Sequence, residues 1–158
     1  MFKVGDRVVY PMHGAGIVES IEEREVLGQV HKYYVLSLSF GDMKVMVPID
    51  SADEVGLRRV ISDSEVNAVL EVLKSECTAM SSNWNRRYRS NLEKIRSGSI
   101  FEVADVVRNL TMRDKEKGLS TGERKMLDSA KEILLSELTL VKGWNREEAE
   151  TVLEQILA

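Results

Sequence analysis

The rhythm of the chain changes near residue 60. Before that point, glycines at 5, 14, 16, 28, 41 and 56 and prolines at 11 and 48 cut the sequence into short runs rich in β-branched residues. After Pro48 there is no proline, and apolar residues recur at three- and four-residue spacing. The first pattern is that of strands and turns, the second that of amphipathic helices. It predicts strands near 6–10, 16–24, 30–39 and 43–48, with a short fifth near 57–60. Leu27-Gly28-Gln29 and Phe40-Gly41-Asp42 supply turns. Turn signals recurring every 8 to 12 residues or so suit a small antiparallel barrel, not βαβ units. Within 43–48, alternation puts Met43, Val45 and Val47 on one face and Lys44, Met46 and Pro48 on the other. Pro48 cannot donate to a ladder, so this strand ends there or lies at a sheet edge.

The second part divides into five helices. Ser62-Asp63-Ser64-Glu65 reads as a capping box, opening a helix with the stripe Val66, Val69, Leu70 and Leu73. A second helix follows Ser81-Ser82-Asn83 and stops at Gly98; a third runs from about Ser99 to Lys117. Ser120-Thr121-Gly122-Glu123 is another capping box, and Asn145 caps a last helix through Val152, Leu153, Ile156 and Leu157. Without heptad continuity these helices form a compact bundle. The expected class is therefore α+β: a small antiparallel β barrel over residues 1–60, then a compact five-helix domain over 61–158.

Several functions are excluded by what the chain lacks. A single thiol, Cys77, cannot make an internal disulfide, and the opening Met-Phe-Lys-Val-Gly is not an apolar leader, which points to a reducing, cytoplasmic setting. No apolar run approaches the ~20 residues that cross a bilayer, so no membrane partner is expected. His13 and His31 stand at no recognised ligand spacing to Cys77 or a carboxylate, and no metal or other cofactor is expected. Gly14-Ala15-Gly16 runs into Ile17-Val18, a strand, where a phosphate loop requires a helix. No nucleophile motif is present either. The chain is read as a non-enzyme with no catalytic residues and no small-molecule substrate.

The net charge of −4, taken alone, disfavours nucleic acid. Its distribution changes that reading. Residues 82–97 carry Arg86, Arg87, Arg89, Lys94 and Arg96 against Glu93 alone, a net +4 in 16 residues. At about 100° per residue, Trp84, Tyr88, Leu92 and Ile95 fall on one side of this helix, Arg86, Arg89 and Glu93 on the other, and Arg87 and Lys94 along a flank. Trp84 stands at the first turn. It fits a packed core with a solvated arginine face; it fits equally an indole presented to a base beside guanidiniums suited to phosphates. Spacing does not choose between them.

The run Trp84 to Ile95, the segment Leu119-Ser120-Thr121-Gly122-Glu123-Arg124-Lys125-Met126-Leu127 and the N-terminal Phe2-Lys3-Val4-Gly5-Asp6-Arg7-Val8-Val9-Tyr10-Pro11-Met12-His13-Gly14 together resemble the CarD/CdnL family of bacterial transcription regulators. The resemblance covers essentially the whole chain. It implies a Tudor-like N-terminal domain, of the type shared with transcription-repair coupling factors, that docks on the RNA polymerase β subunit. It also implies a helical domain that contacts promoter DNA at the upstream fork of the transcription bubble and stabilises the open complex, largely independently of sequence. Trp84 matches the family's wedge tryptophan, Arg86, Arg87 and Arg89 the basic positions after it, and Arg124 and Lys125 further DNA-facing residues. Met46 and Pro48 match polymerase contacts on the docking edge, and Arg24 another on the second strand. Some family members carry Arg where this chain has Met46, which places it nearer the CdnL branch. The alternative is a protein-interaction module without DNA contact, with Tyr10, Tyr33, Tyr34 and Phe40 as an aromatic cage for a cation.

Overall fold

A computed structural model describes residues 1–158. The chain is α+β, a small antiparallel sheet of five strands followed by five helices. The strands are β1 (Arg7–Tyr10), β2 (Gly14–Val26), β3 (Gln29–Leu38), β4 (Lys44–Pro48) and β5 (Arg58–Arg59), with a 3-10 turn at Ile49–Ser51. The helices are α1 (Asp63–Lys74), α2 (Trp84–Arg96), α3 (Ile100–Lys117), α4 (Thr121–Lys142) and α5 (Arg146–Leu157).

The sheet order is β4-β3-β2-β1-β5, so β4 and β5 are its two edges. β2 begins two residues earlier than its β-branched pattern suggests, because Gly14, Ala15 and Gly16 pair with Tyr10, Val9 and Val8. Gly16 is required there for closeness. A Cβ at this position would lie 2.4 Å from the Ser37 carbonyl oxygen. The β2–β3 register slips between Val18 and Ser20, leaving Glu19 without an opposite residue. Such a bulge bends the strand and strengthens its twist. The curled sheet closes on a core of Val8, Val18, Tyr34, Leu36, Leu38, Val47, Ala52 and Leu57.

The helices enclose a second, larger core centred on Val106, Val107, Leu110, Ala130 and Leu134. Their starts follow the capping residues. Ser62 with Glu65, and Asn145 with Glu148, form complete capping boxes. α4 is different, since Ser120 caps the Glu123 amide but the Glu123 carboxylate turns elsewhere.

Helix α4 joins the two cores. The Ala15 amide donates to Ser136 Oγ at 2.9 Å, and Gly14, at φ 101°, lies where a Cβ would meet that hydroxyl at 2.9 Å. Arg58 grips Glu137 with two bonds of 2.8 and 2.7 Å, and the Ile61 amide adds a third at 2.8 Å. Glu137 is almost wholly buried. A carboxylate so removed from water persists only when its charge and lone pairs are matched. These bonds therefore hold the sheet and the bundle in one arrangement.

Candidate nucleic-acid and protein-docking surfaces

The first turns of α2 and α4 lie side by side. Asn83 caps α2, its side chain accepting from the Arg86 amide at 3.0 Å. The Trp84 ring stacks on Tyr88, one turn along, with centroids 4.9 Å apart and planes 16° from parallel. Its Nε1–H donates to Ser120 Oγ at 2.9 Å, and its Cζ2 and Cη2 edge faces Gly122. The residue is nevertheless 41% exposed. A large aromatic side chain is thus held in place and left partly open to solvent.

On the same two helices, Arg86, Arg89 and Lys125 are exposed and form no ion pair. Arg124 is exposed too, but bonds Asp114 at 2.8 Å. Arg96, further along α2, is also exposed and unpaired, whereas Lys94 is paired with Asp105. Arg113, which was not selected from the sequence, has a buried Nε with no hydrogen-bond partner and lies close enough to Glu123 to favour its charged form.

Arg87 requires a correction. It was expected to face DNA, but it is 3% exposed and each of its three guanidinium nitrogens is hydrogen-bonded within the chain. Nε donates to Glu123 Oε2 at 2.8 Å and a terminal nitrogen to Oε1 at 3.1 Å. The other terminal nitrogen donates to the Ser81 and Ser82 carbonyls at 3.1 and 3.3 Å. The fully buried line of α2 is Arg87, Asn91 and Ile95. Glu123 provides the reason, because a carboxylate buried on α4 draws that side of α2 inward. The Arg87 guanidinium hydrogen-bonds the Glu123 carboxylate and holds its pKa below the usual glutamate value, against the opposing effect of burial. The same bond raises the pKa of Arg87.

On the sheet, Met46 and Pro48 lie on β4, whose outer edge has no partner strand. The register aligns Ser20, Val35 and Met46 in one row and Glu22, Tyr33 and Pro48 in the next. Arg24, on β2, bonds Glu22 at 2.9 Å. With Val35, Lys44, Glu19 and Glu22, Arg24 and Met46 line one shallow concavity, so two of the three residues expected at the docking edge share a surface and Pro48 flanks it. The proposed aromatic cage does not assemble. Tyr34 is in the core with its hydroxyl accepting from the Phe2 amide, Tyr33 faces the opposite side, Phe40 lies under Arg146 and Tyr10 beside His13.

A curled sheet open along β4, tied to a bundle that presents a part-exposed indole at the start of its basic helix, defines a two-part, CarD-like architecture. Most of the chain matches it: residues 2–61 fit the family model described as CarD-like/TRCF RID domain, and residues 68–154 the CarD C-terminal domain. The chain belongs to the CarD family. It is 42% identical over 143 residues to the Bacillus subtilis (strain 168) protein named "Putative transcription factor YdeB", which spans 90% of this chain and 94% of that one. Among solved structures, CdnLNt from Myxococcus xanthus is 46% identical and covers 40% of this chain and 89% of its own, with a TM-score of 0.35. The 72-residue N-terminal domain of Myxococcus xanthus CarD is 36% identical, covers 37% and 79%, and has a TM-score of 0.33. Such loose superpositions carry no structural argument. The family is one of transcription factors, not enzymes, and membership supports a role in regulating transcription.

Proposed function

We propose that this protein is an RNA polymerase accessory factor that stabilises the promoter open complex. Residues 1–60 dock on the polymerase β subunit through the free edge of β4, with Met46, Pro48 and Arg24 selecting the partner. Strand addition suits such an edge, since ladder hydrogen bonds supply generic affinity and outward side chains supply specificity. Residues 61–158 then place Trp84 at the upstream fork of the bubble, with Arg86, Arg89, Arg124 and Lys125 on the phosphates. The observation that carries this reading is the part-exposed Trp84 ring, bonded across from the start of α2 to the start of α4, with Arg86, Arg89 and Lys125 exposed and unpaired on the same two helices.

An aromatic wedge is effective where bases are already unstacked, because melting meets most of the unstacking cost. The N-terminal ends of α2 and α4 add partial positive charge and free amides to the basic side chains. Phosphate contacts without base-edge contacts make binding sequence-tolerant and salt-sensitive. With a net charge of −4 the chain is a poor autonomous DNA binder. Tethering to polymerase supplies the effective concentration that intrinsic affinity lacks. No helix is long and apolar enough to cross a membrane, and the proposed site of action is the cytoplasm.

The test is co-purification with the polymerase β subunit, followed by retention on forked DNA at rising salt. Met46→Asp, at an exposed position on an edge strand, is expected to abolish polymerase binding without unfolding the chain. Polymerase binding with no effect on DNA would leave only a protein-interaction module.

A further inference from the structure

We propose that Ser120 is a positioning residue that fixes which edge of the Trp84 indole is turned toward DNA. This rests on the reading of Trp84 as the DNA-facing wedge. A serine hydroxyl has two lone pairs and one proton. Three groups surround Ser120 Oγ: Trp84 Nε1 at 2.9 Å, the Glu123 amide nitrogen at 3.2 Å and Glu123 Oε1 at 3.3 Å. The first two are N–H donors and use both lone pairs. The third is a carboxylate that only accepts, so the hydroxyl proton must point to Glu123. Every bonding capacity of the hydroxyl is thereby used, and each bond has a fixed direction.

The carboxylate at the end of this relay is itself immobile. Arg87 holds it with two bonds and uses its remaining nitrogen on Ser81 and Ser82, just before α2. The indole, the start of α2 and the start of α4 thus belong to one hydrogen-bonded unit. This explains why the Glu123 carboxylate does not complete the capping box of α4.

Stacking on Tyr88 fixes the plane of the ring but not which way round it lies, because both flips about χ2 present a flat face. The bond at Nε1, with the packing of the Cζ2 edge on Gly122, separates the two flips. It turns the Nε1 and Cζ2 edge toward α4, against Ser120 and Gly122, and the Cε3–Cζ3 edge away from α4. A ring set in one orientation before binding loses less freedom on binding.

Ser120→Gly separates this role from helix capping, since glycine is a tolerable N-cap yet removes Oγ. It is expected to shorten the open-complex lifetime about two- to tenfold, the range for one net hydrogen bond. Ser120→Thr, which restores the hydroxyl, should recover it. In a Trp84→Phe background, where the ring has no N–H, Ser120→Gly should have no further effect. In a Trp144→Phe background Trp84 is the sole indole, and Ser120→Gly should lower its fluorescence anisotropy while helix content by circular dichroism stays the same. If Trp84→Ala shortens the lifetime but Ser120→Gly does not, or if Ser120→Gly acts equally in the Trp84→Phe background, the positioning role is overturned and the wedge survives. If Trp84→Ala leaves the lifetime unchanged, the open-complex reading and this inference with it are overturned.

Discussion

Replacing Glu123 by alanine strands the Arg87 guanidinium, 3% exposed, in the contact between α2 and α4. It removes two charge-assisted hydrogen bonds, of 2.8 and 3.1 Å, and leaves only the Ser81 and Ser82 carbonyls as partners. Breaking a buried pair from one side costs about 3–5 kcal/mol, because the surviving charge stays desolvated. An exposed pair such as Arg24 with Glu22 is worth no more than ~1 kcal/mol. In a chain of this length, the larger figure corresponds to a fall in Tm of roughly 6–20 °C. Urea denaturation followed by circular dichroism at neutral pH measures it. Removing both charges together, as Arg87→Met with Glu123→Leu, leaves no buried charge unpaired and should recover most of the loss. The neighbouring Arg86→Ala, at an exposed and unpaired position, should change stability by no more than ~0.5 kcal/mol. A loss below ~1 kcal/mol for Glu123→Ala, or a double variant as unstable as the single one, would refute the burial reasoning.

The same pair sets an acid limit. Because the folded-state pKa of Glu123 is lowered, the unfolded chain binds the proton more readily, so the pair's contribution is full above the ordinary value near 4.5 and is lost as pH falls through the folded value. Asp6 and Glu65 shift the same way, chiefly through the Lys3 and Ser62 amides, so a comparison of wild type with Glu123→Gln by acid titration isolates the Glu123 share. Arg86→Ala, Arg89→Ala and Lys125→Ala should each reduce the slope of log affinity against log salt for forked DNA by about one, uniformly across sequences. Arg58→Met strands the buried Glu137 and should speed hydrogen exchange at the Ala15 amide, which α4 holds through Ser136.

The number and order of elements could be read from the sequence because four of the five helix starts carry a capping side chain, α3 follows the Gly98 stop, and glycines and prolines mark the turns between strands. What could not be read depends on partners far along the chain. Ser120 and Glu123 have the spacing of a capping box, and the Glu123 amide is indeed capped; the carboxylate leaves because Arg87 lies across the helix contact, 36 residues away. Arg87 itself resembles any flank arginine until that partner is known. The early start of β2 was hidden because Gly14 and Gly16 look like loop residues, whereas Gly16 is a strand residue pressed against Ser37. For the proposed docking edge, alternation gave the outward face of β4, but Arg24 joins Met46 only through the register of three strands. Trp84 was ambiguous from periodicity because it does both things: it packs on Tyr88 and remains 41% exposed.

The most direct measurement is the lifetime of the promoter open complex with wild-type protein and with Trp84→Ala, at equal polymerase occupancy. A stacked base is worth ~1–3 kcal/mol, so loss of the indole should shorten the lifetime by about fivefold to a hundredfold while polymerase binding stays intact. An unchanged lifetime with intact polymerase binding would contradict the wedge.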